Sequence, residues 1–288
     1  MVRLATLALS LACSALASPF VKPSDSSLSD VSDVGFAIHE RAISKAITKP
    51  AIVCDLTCKA CLAKPAPKKA ANEYVMEQID SVAAKDDELD WNLIQHDAVS
   101  GQGSWAEKPL RKYIRGLMGC TGIVIVSDKG YWFAHFMETG FLDRGDNWKS
   151  KIIKPLQQGT NKFITPRSLA KSGGILNKAN NVKIYVSTPR TKTSTEQNPV
   201  LLYKSKVDEL LSHITGRGEP LNGVQVITRG YLKPESEAEL EAFHNRANGK
   251  VLIEYDNNQL DVNGNQPNPK ERMYRVWLEH KYYEHRFR

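Results

Sequence analysis

Two short apolar runs with a polar break between them constrain this chain more than any other feature. Gly122 to Ser127 reads GIVIVS and Tyr131 to Phe136 reads YWFAHF, with Asp128-Lys129-Gly130 in between. Runs this short and this rich in β-branched and aromatic residues fit buried strands, and an Asp- and Gly-containing break fits a tight turn, so the segment predicts a hairpin. A two-residue Asp128-Lys129 loop pairs Ser127 with Gly130 and, further along, Cys120 with Met137. His135 then lies two residues from Met137, on the same sheet face as Cys120 and diagonal to it, roughly 7–8 Å away at the backbone. A loop longer by one residue puts the two side chains on opposite faces.

The rest of the pattern alternates helix and strand. Asn72 caps a predicted helix whose apolar positions are Val75, Ile79, Val82 and Ala83. Pro109 opens a second, with Leu110, Tyr113, Ile114 and Leu117 on one face and Gly116 and Gly119 ending it. Val182 to Thr188, Val224 to Thr228, Val251 to Tyr255 and Met273 to His280 read as strands, and Asn263-Gly264 as a turn. Tyr203, Val207, Leu210, Leu211 and Ile214 form one face of a helix, and Glu235 to Ala247 is a helix with an acidic start. VSGQGSW (Val99 to Trp105) reads as a Gly-rich loop, and the C-terminal KYYEHRFR as a solvated end. Several strands with interspersed helices and a hairpin predict an α+β fold, with a mixed or largely antiparallel, sandwich-like sheet and flanking helices.

The N-terminus differs from this domain. Arg3 precedes an apolar stretch from Leu4 to Leu16, and Ala15-Leu16-Ala17 precedes Ser18. That is the pattern of a secretory signal peptide over residues 1–17, cleaved after Ala17, and it predicts an extracellular protein or one delivered into another cell. Residues 18–71 hold a Ser/Asp-rich stretch and a Lys/Pro/Ala run, and read as a pro-segment or linker, with Lys68-Lys69 as a weak processing signal. Residues 72–288 form the predicted globular domain. No apolar run reaches the roughly 18 residues of a membrane span, so no transmembrane segment is expected. With 39 Lys and Arg against 32 Asp and Glu, the net charge of +7 is too mild to call for nucleic acid as a partner.

Four cysteines remain after cleavage: Cys54, Cys58, Cys61 and Cys120. An oxidising compartment favours a disulfide inside the first three, with the third sulfur unbridged, paired between chains or bridged to Cys120. The spacing of the cluster matches that of a radical iron–sulfur site by letter only. Zinc needs a fourth ligand, for which His39 is the nearest candidate, and neither a metal nor another cofactor is expected.

Cys120 and His135 carry the chemistry. A thiol within reach of an imidazole is a nucleophile with its base, and an imidazolium lowers the thiol pKa. The turn amides around Gly119 and Cys120 are candidate donors to an oxyanion. Leu117-x-Gly119-Cys120, followed by a strand, a turn and His135, resembles the catalytic core of the cytotoxic necrotizing factor group of bacterial toxins, which the chemotaxis receptor deamidase CheD shares. The resemblance covers only this segment. It implies a Cys-His pair deamidating, or transglutaminating, glutamine in a target protein, with a third group orienting the histidine. Ser100 and Ser104 are weak candidates for that group. The segment also looks like uncharacterised fungal secreted proteins, which suits the signal peptide. The alternatives are a cysteine protease and a secreted non-catalytic effector or binding protein that retains the fold.

Overall fold

The computed structural model describes residues 66–80, 89–90, 94, 97–196, 198–259 and 271–288. The signal peptide, the Cys54–Cys58–Cys61 cluster, His39, His96, Val82 and Ala83, and the Asn263-Gly264 turn lie outside the described residues.

Nine strands form two sheets among the described residues. The first has the order β1 (Ala98–Ser104), β4 (Gly130–Phe136), β3 (Thr121–Val126), β5 (Lys183–Arg190), β6 (Val226–Leu232). The second has the order β2 (Leu110–Ile114), β7 (Val251–Gln259), β8 (Glu271–Leu278), β9 (Lys281–Phe287). All pairings are antiparallel except β5 with β6, which are joined through helix α6 (Lys204–Thr215). The predicted α+β, sandwich-like class is the class observed.

Side-chain alternation sorts the molecule into four layers. Val124, Val126, Tyr131 and Phe133 of the first sheet meet Ile114, Val251, Ile253, Tyr255 and Val276 of the second, forming the core between the sheets. The opposite face of the first sheet, Ile123, Ile125, Trp132, Ala134 and Phe136, packs against helices. These are α2 (Glu138–Leu142), the run α3 (Asp146–Trp148), π turn (Lys149–Ile153) and α4 (Lys154–Gln158), the short α5 (Pro166–Leu169), and α6. The outer face of the second sheet is covered by α1 (Ala66–Asp80) through Ala71, Val75 and Ile79 against Tyr113, Leu252 and Trp277. Helix α7 (Glu237–His244) adds Phe243 to the core between the sheets.

Four local expectations are corrected. Leu110–Ile114 is a strand, not a helix, because both of its faces are covered: Ile114 joins the core between the sheets, while Arg111 and Tyr113 lie under α1. VSGQGSW is β1, not a loop. Its glycines admit aromatic rings from β4, since a Cβ at Gly101 would stand 2.6 Å from the Phe133 ring and one at Gly103 2.6 Å from the Tyr131 hydroxyl. KYYEHRFR is β9, held by seven register pairs with β8. The first helix begins at Ala66, so Asn72 sits inside it, and its Oδ1 accepts from the Ala247 N–H at 2.7 Å instead of capping the helix.

A ladder of alternating charge runs under α1. Arg111, Glu254, Arg275 and Glu284 face one another in turn across β2, β7, β8 and β9. The Glu254 and Arg275 side chains are fully buried, 3.7 Å apart. Tyr74 of α1 donates to Glu254 at 2.5 Å and Trp277 Nε1 donates to it at 2.7 Å, while Arg111 donates to Gln78 Oε1 at 3.1 Å. Burial pushes the Glu254 carboxyl above its ordinary pKa, and Arg275 and the Tyr74 and Trp277 donors oppose that shift. Removing one partner of a buried pair strands the other charge. Glu254→Ala is therefore expected to cost about 3–5 kcal/mol, read from urea midpoints, and a double Glu254→Leu/Arg275→Met variant to recover most of it.

Candidate functional site

The β3–β4 hairpin turns at Asp128 and Lys129. Ser127 N–H donates to Gly130 O at 2.9 Å, and the register runs from Val126 opposite Tyr131 to Thr121 opposite Phe136. His135 stands opposite Gly122. One step beyond Thr121 and Phe136, Cys120 meets Met137, with the two sulfurs 4.0 Å apart. Cys120 and His135 thus share the face that looks into the space between the sheets, in the diagonal relation the two-residue loop requires.

The segment Leu117 to Cys120 is shaped residue by residue. Leu117 is fully buried and covers Gly122, where an added Cβ would stand 3.0 Å from Leu117 Cδ1. Gly119 has φ +118, a conformation that L side chains rarely adopt, and a Cβ there would collide with the Glu138 carboxylate at 2.2 Å. Tyr231 closes the turn. Its hydroxyl accepts from Gly119 N–H at 2.9 Å and donates to Cys120 O at 2.7 Å. Burial first, then the Cys120 sulfur, holds the Tyr231 phenol well above its ordinary pKa. Gly119 N–H also lies 2.8 Å from Leu117 O, so in this structure the amide expected to face an oxyanion is engaged by Leu117 and Tyr231.

Cys120 is a half-buried thiol. Its Sγ accepts the backbone N–H of Glu138 at 3.3 Å. Around that sulfur lies a polar group which sequence patterns did not reveal. Glu138 Oε1 accepts from Lys233 Nζ at 2.5 Å and from the Tyr203 hydroxyl. Burial, and after it the bond to Glu138, raises the Tyr203 phenol, so it stays a donor. Glu138 had a local signal, since it follows the residue facing Cys120. Tyr203, Tyr231 and Lys233 come from distant segments and had none.

His135 is 2% exposed. Burial alone lowers its imidazole to about 3, so it is neutral at pH 7. The imidazolium charge expected to activate Cys120 is therefore absent in this resting state, and the same burial opposes protonation of the ring, so a proton taken from Cys120 would have to be held there by the negative charge formed beside it. Ser100 and Ser104 do not orient it. Ser100 stands opposite Ala134, on the helix-facing side, with its Oγ bonded to Ile164, and Ser104 lies at the far end of β1 opposite Gly130. The residue facing His135 on β1 is Val99. His213 bonds Gln157, His280 lies 3.4 Å from Glu196 and His285 2.9 Å from Asp128, all away from Cys120.

Among the described residues, no group of three or more His, Cys, Asp or Glu is placed to hold a metal ion, and no helix is long and apolar enough to cross a membrane. No family model, no curated protein and no solved structure matches the chain.

The buried imidazole has a consequence for acid stability. Its folded pKa of about 3 lies below the ordinary 6.5, so between these values the unfolded chain binds a proton that the folded chain does not. Stability is then whole above pH 6.5 and falls as pH drops toward 3, by on the order of 5 kcal/mol in total. Urea midpoints measured from about pH 7 to 4 are expected to fall less steeply for His135→Gln than for the wild type, whereas equal slopes would show that this histidine is not the titrating group.

Proposed function

We propose that the chain is a secreted Cys-His hydrolase that deamidates glutamine in a target protein, or transglutaminates it when an amine takes the place of water. The observation that carries this reading is the placement of Cys120 and His135 on one face of the β3–β4 hairpin, with Cys120 half-buried just before the start of β3. In this reading the Cys120 proton passes to the neutral His135 ring as Sγ adds to the carboxamide carbon. The tetrahedral adduct collapses with loss of ammonia, which leaves with the proton returned by His135. Water then cleaves the thioester, giving glutamate and restoring the thiol. The steps sum to glutamine plus water giving glutamate plus ammonia, and no cofactor is required.

The Glu138 N–H that reaches Sγ at 3.3 Å supports thiolate formation, since a donor to the charged form favours it. A second reading, a binding protein that keeps the fold without the chemistry, is favoured by the 2% exposure of His135.

Glutaminyl proteins incubated with the mature chain are expected to release ammonia and gain the mass of amide-to-acid conversion, with Cys120→Ser slower by about 10³-fold or more. Cleaved peptide bonds in place of that mass gain would make the chain a protease. Inert substrates, with Cys120→Ser indistinguishable from wild type, would leave the binding-protein reading.

A further inference from the structure

The proposed chemistry needs two proton transfers in two different places. The thiol proton leaves toward the interior, where His135 sits. The water that cleaves the thioester arrives from solvent, and a residue that is 2% exposed does not meet it. The group on the solvent side of Cys120 is Glu138. Its side chain is 18% exposed and is fixed from three directions: Lys233 and Tyr203 hold Oε1, and its own backbone N–H is bonded to the sulfur. Oε2 points at Gly119, within 2.2 Å of where a Cβ would stand, and makes no hydrogen bond among the described residues. One carboxylate oxygen is thus clamped and the other is available beside the nucleophile.

We propose that Glu138 is the general base of deacylation, a second catalytic carboxylate of the Cys120 site, with Lys233 and Tyr203 as its positioning residues; this rests on the amide-hydrolase reading above. Glu138 Oε2 takes one proton from water as the water oxygen bonds to the thioester carbonyl carbon. The carbon–sulfur bond then breaks, the electron pair returns to Sγ, and the proton held by Glu138 passes to the departing thiolate. Nothing is oxidised or reduced, and water is the only co-substrate. The glycine at 119 is then required twice, once for its backbone angle and once because any side chain there would displace Oε2.

The division of labour predicts that the two half-reactions separate. Glu138→Gln keeps the backbone donor to Sγ and the shape of the side chain but removes the base. With a glutaminyl peptide it should release one equivalent of ammonia in a burst and then stall, with turnover lower by about 10²- to 10⁴-fold. Intact-mass spectra at low pH should show the chain carrying the peptide, less ammonia, on Cys120. Lys233→Met retains Glu138 but removes one of the two donors that hold Oε1, so the burst should persist while turnover falls. Lys233→Arg, which can still donate to Oε1, should restore turnover, and a contact that only held the fold together would slow the burst as well. Iodoacetamide labelling of Cys120 at the wild-type rate in Glu138→Gln checks that the site is intact.

Steady turnover by Glu138→Gln at the wild-type rate would overturn the proposal. So would loss of the burst with Cys120 labelling unchanged, because the carboxylate would then belong to acylation. If the wild-type chain itself releases no ammonia and forms no thioester, the hydrolase reading has failed first, and these outcomes tell the two failures apart.

Discussion

The register of the β3–β4 hairpin is the constraint on which the molecule depends. These two strands are buried on both faces and lie inside the first sheet, with β1 and β5 on either side. A slip of one residue would exchange Ile123, Ile125, Trp132 and Phe136, which face the helices, with Val124, Val126, Tyr131 and Phe133, which face the second sheet. Two differently shaped cores would both be spoiled, so the register is fixed from two sides at once. The turn adds local control: Ser127 Oγ accepts from Lys129 N–H at 3.0 Å and donates to Ile175 O at 2.6 Å. Fixing that register also fixes Cys120 and His135 on one face, so the packing that folds the chain is the packing that sets the candidate pair.

The site forms where the regular sheet ends. β3 begins at Thr121, and past that point β5 exchanges partners: Leu202 N–H bonds Pro189 O at 2.9 Å, and Thr191 N–H bonds Val200 O at 2.8 Å. This change of partner brings Tyr203 toward Cys120, while the end of β6 supplies Tyr231 and the residue after it, and Lys233 follows. The Leu117-x-Gly119-Cys120 segment is held between these pieces, with an apolar anchor at Leu117 and polar closure at Tyr231. Interior and exterior sides of the sulfur differ accordingly. A dry imidazole lies on one side and a clamped, partly exposed carboxylate on the other.

Much of this was legible in the sequence because it was local. The hairpin, its loop length and the shared face of Cys120 and His135 follow from residues 117–136 alone. The α6 face and the strands at 182–188, 251–255 and 273–280 follow from periodicity. What failed was settled by neighbours. Leu110, Tyr113, Ile114 and Leu117 mimic a helix only because a strand covered on both faces needs apolar residues in both phases. VSGQGSW looks like a loop until the Phe133 and Tyr131 rings lie across its glycines. KYYEHRFR looks solvated until Glu284 meets Arg275, and Phe287 packs near Tyr255 and Tyr274. In the site, Glu138, Tyr203, Tyr231 and Lys233 are brought together by topology, which no short spacing encodes.

The claim at the centre of this account is that the fold makes Cys120 more reactive than an ordinary thiol. The most direct measurement is its second-order alkylation rate with iodoacetamide near pH 7, read by mapping the Cys120 peptide in the native chain, in the urea-unfolded chain and in native His135→Gln. A native rate roughly tenfold or more above the unfolded one is expected, with the excess reduced in His135→Gln because the ring takes the thiol proton only as the new bond to sulfur forms. A native thiol that labels no faster than the unfolded chain, with the variant unchanged, would contradict it.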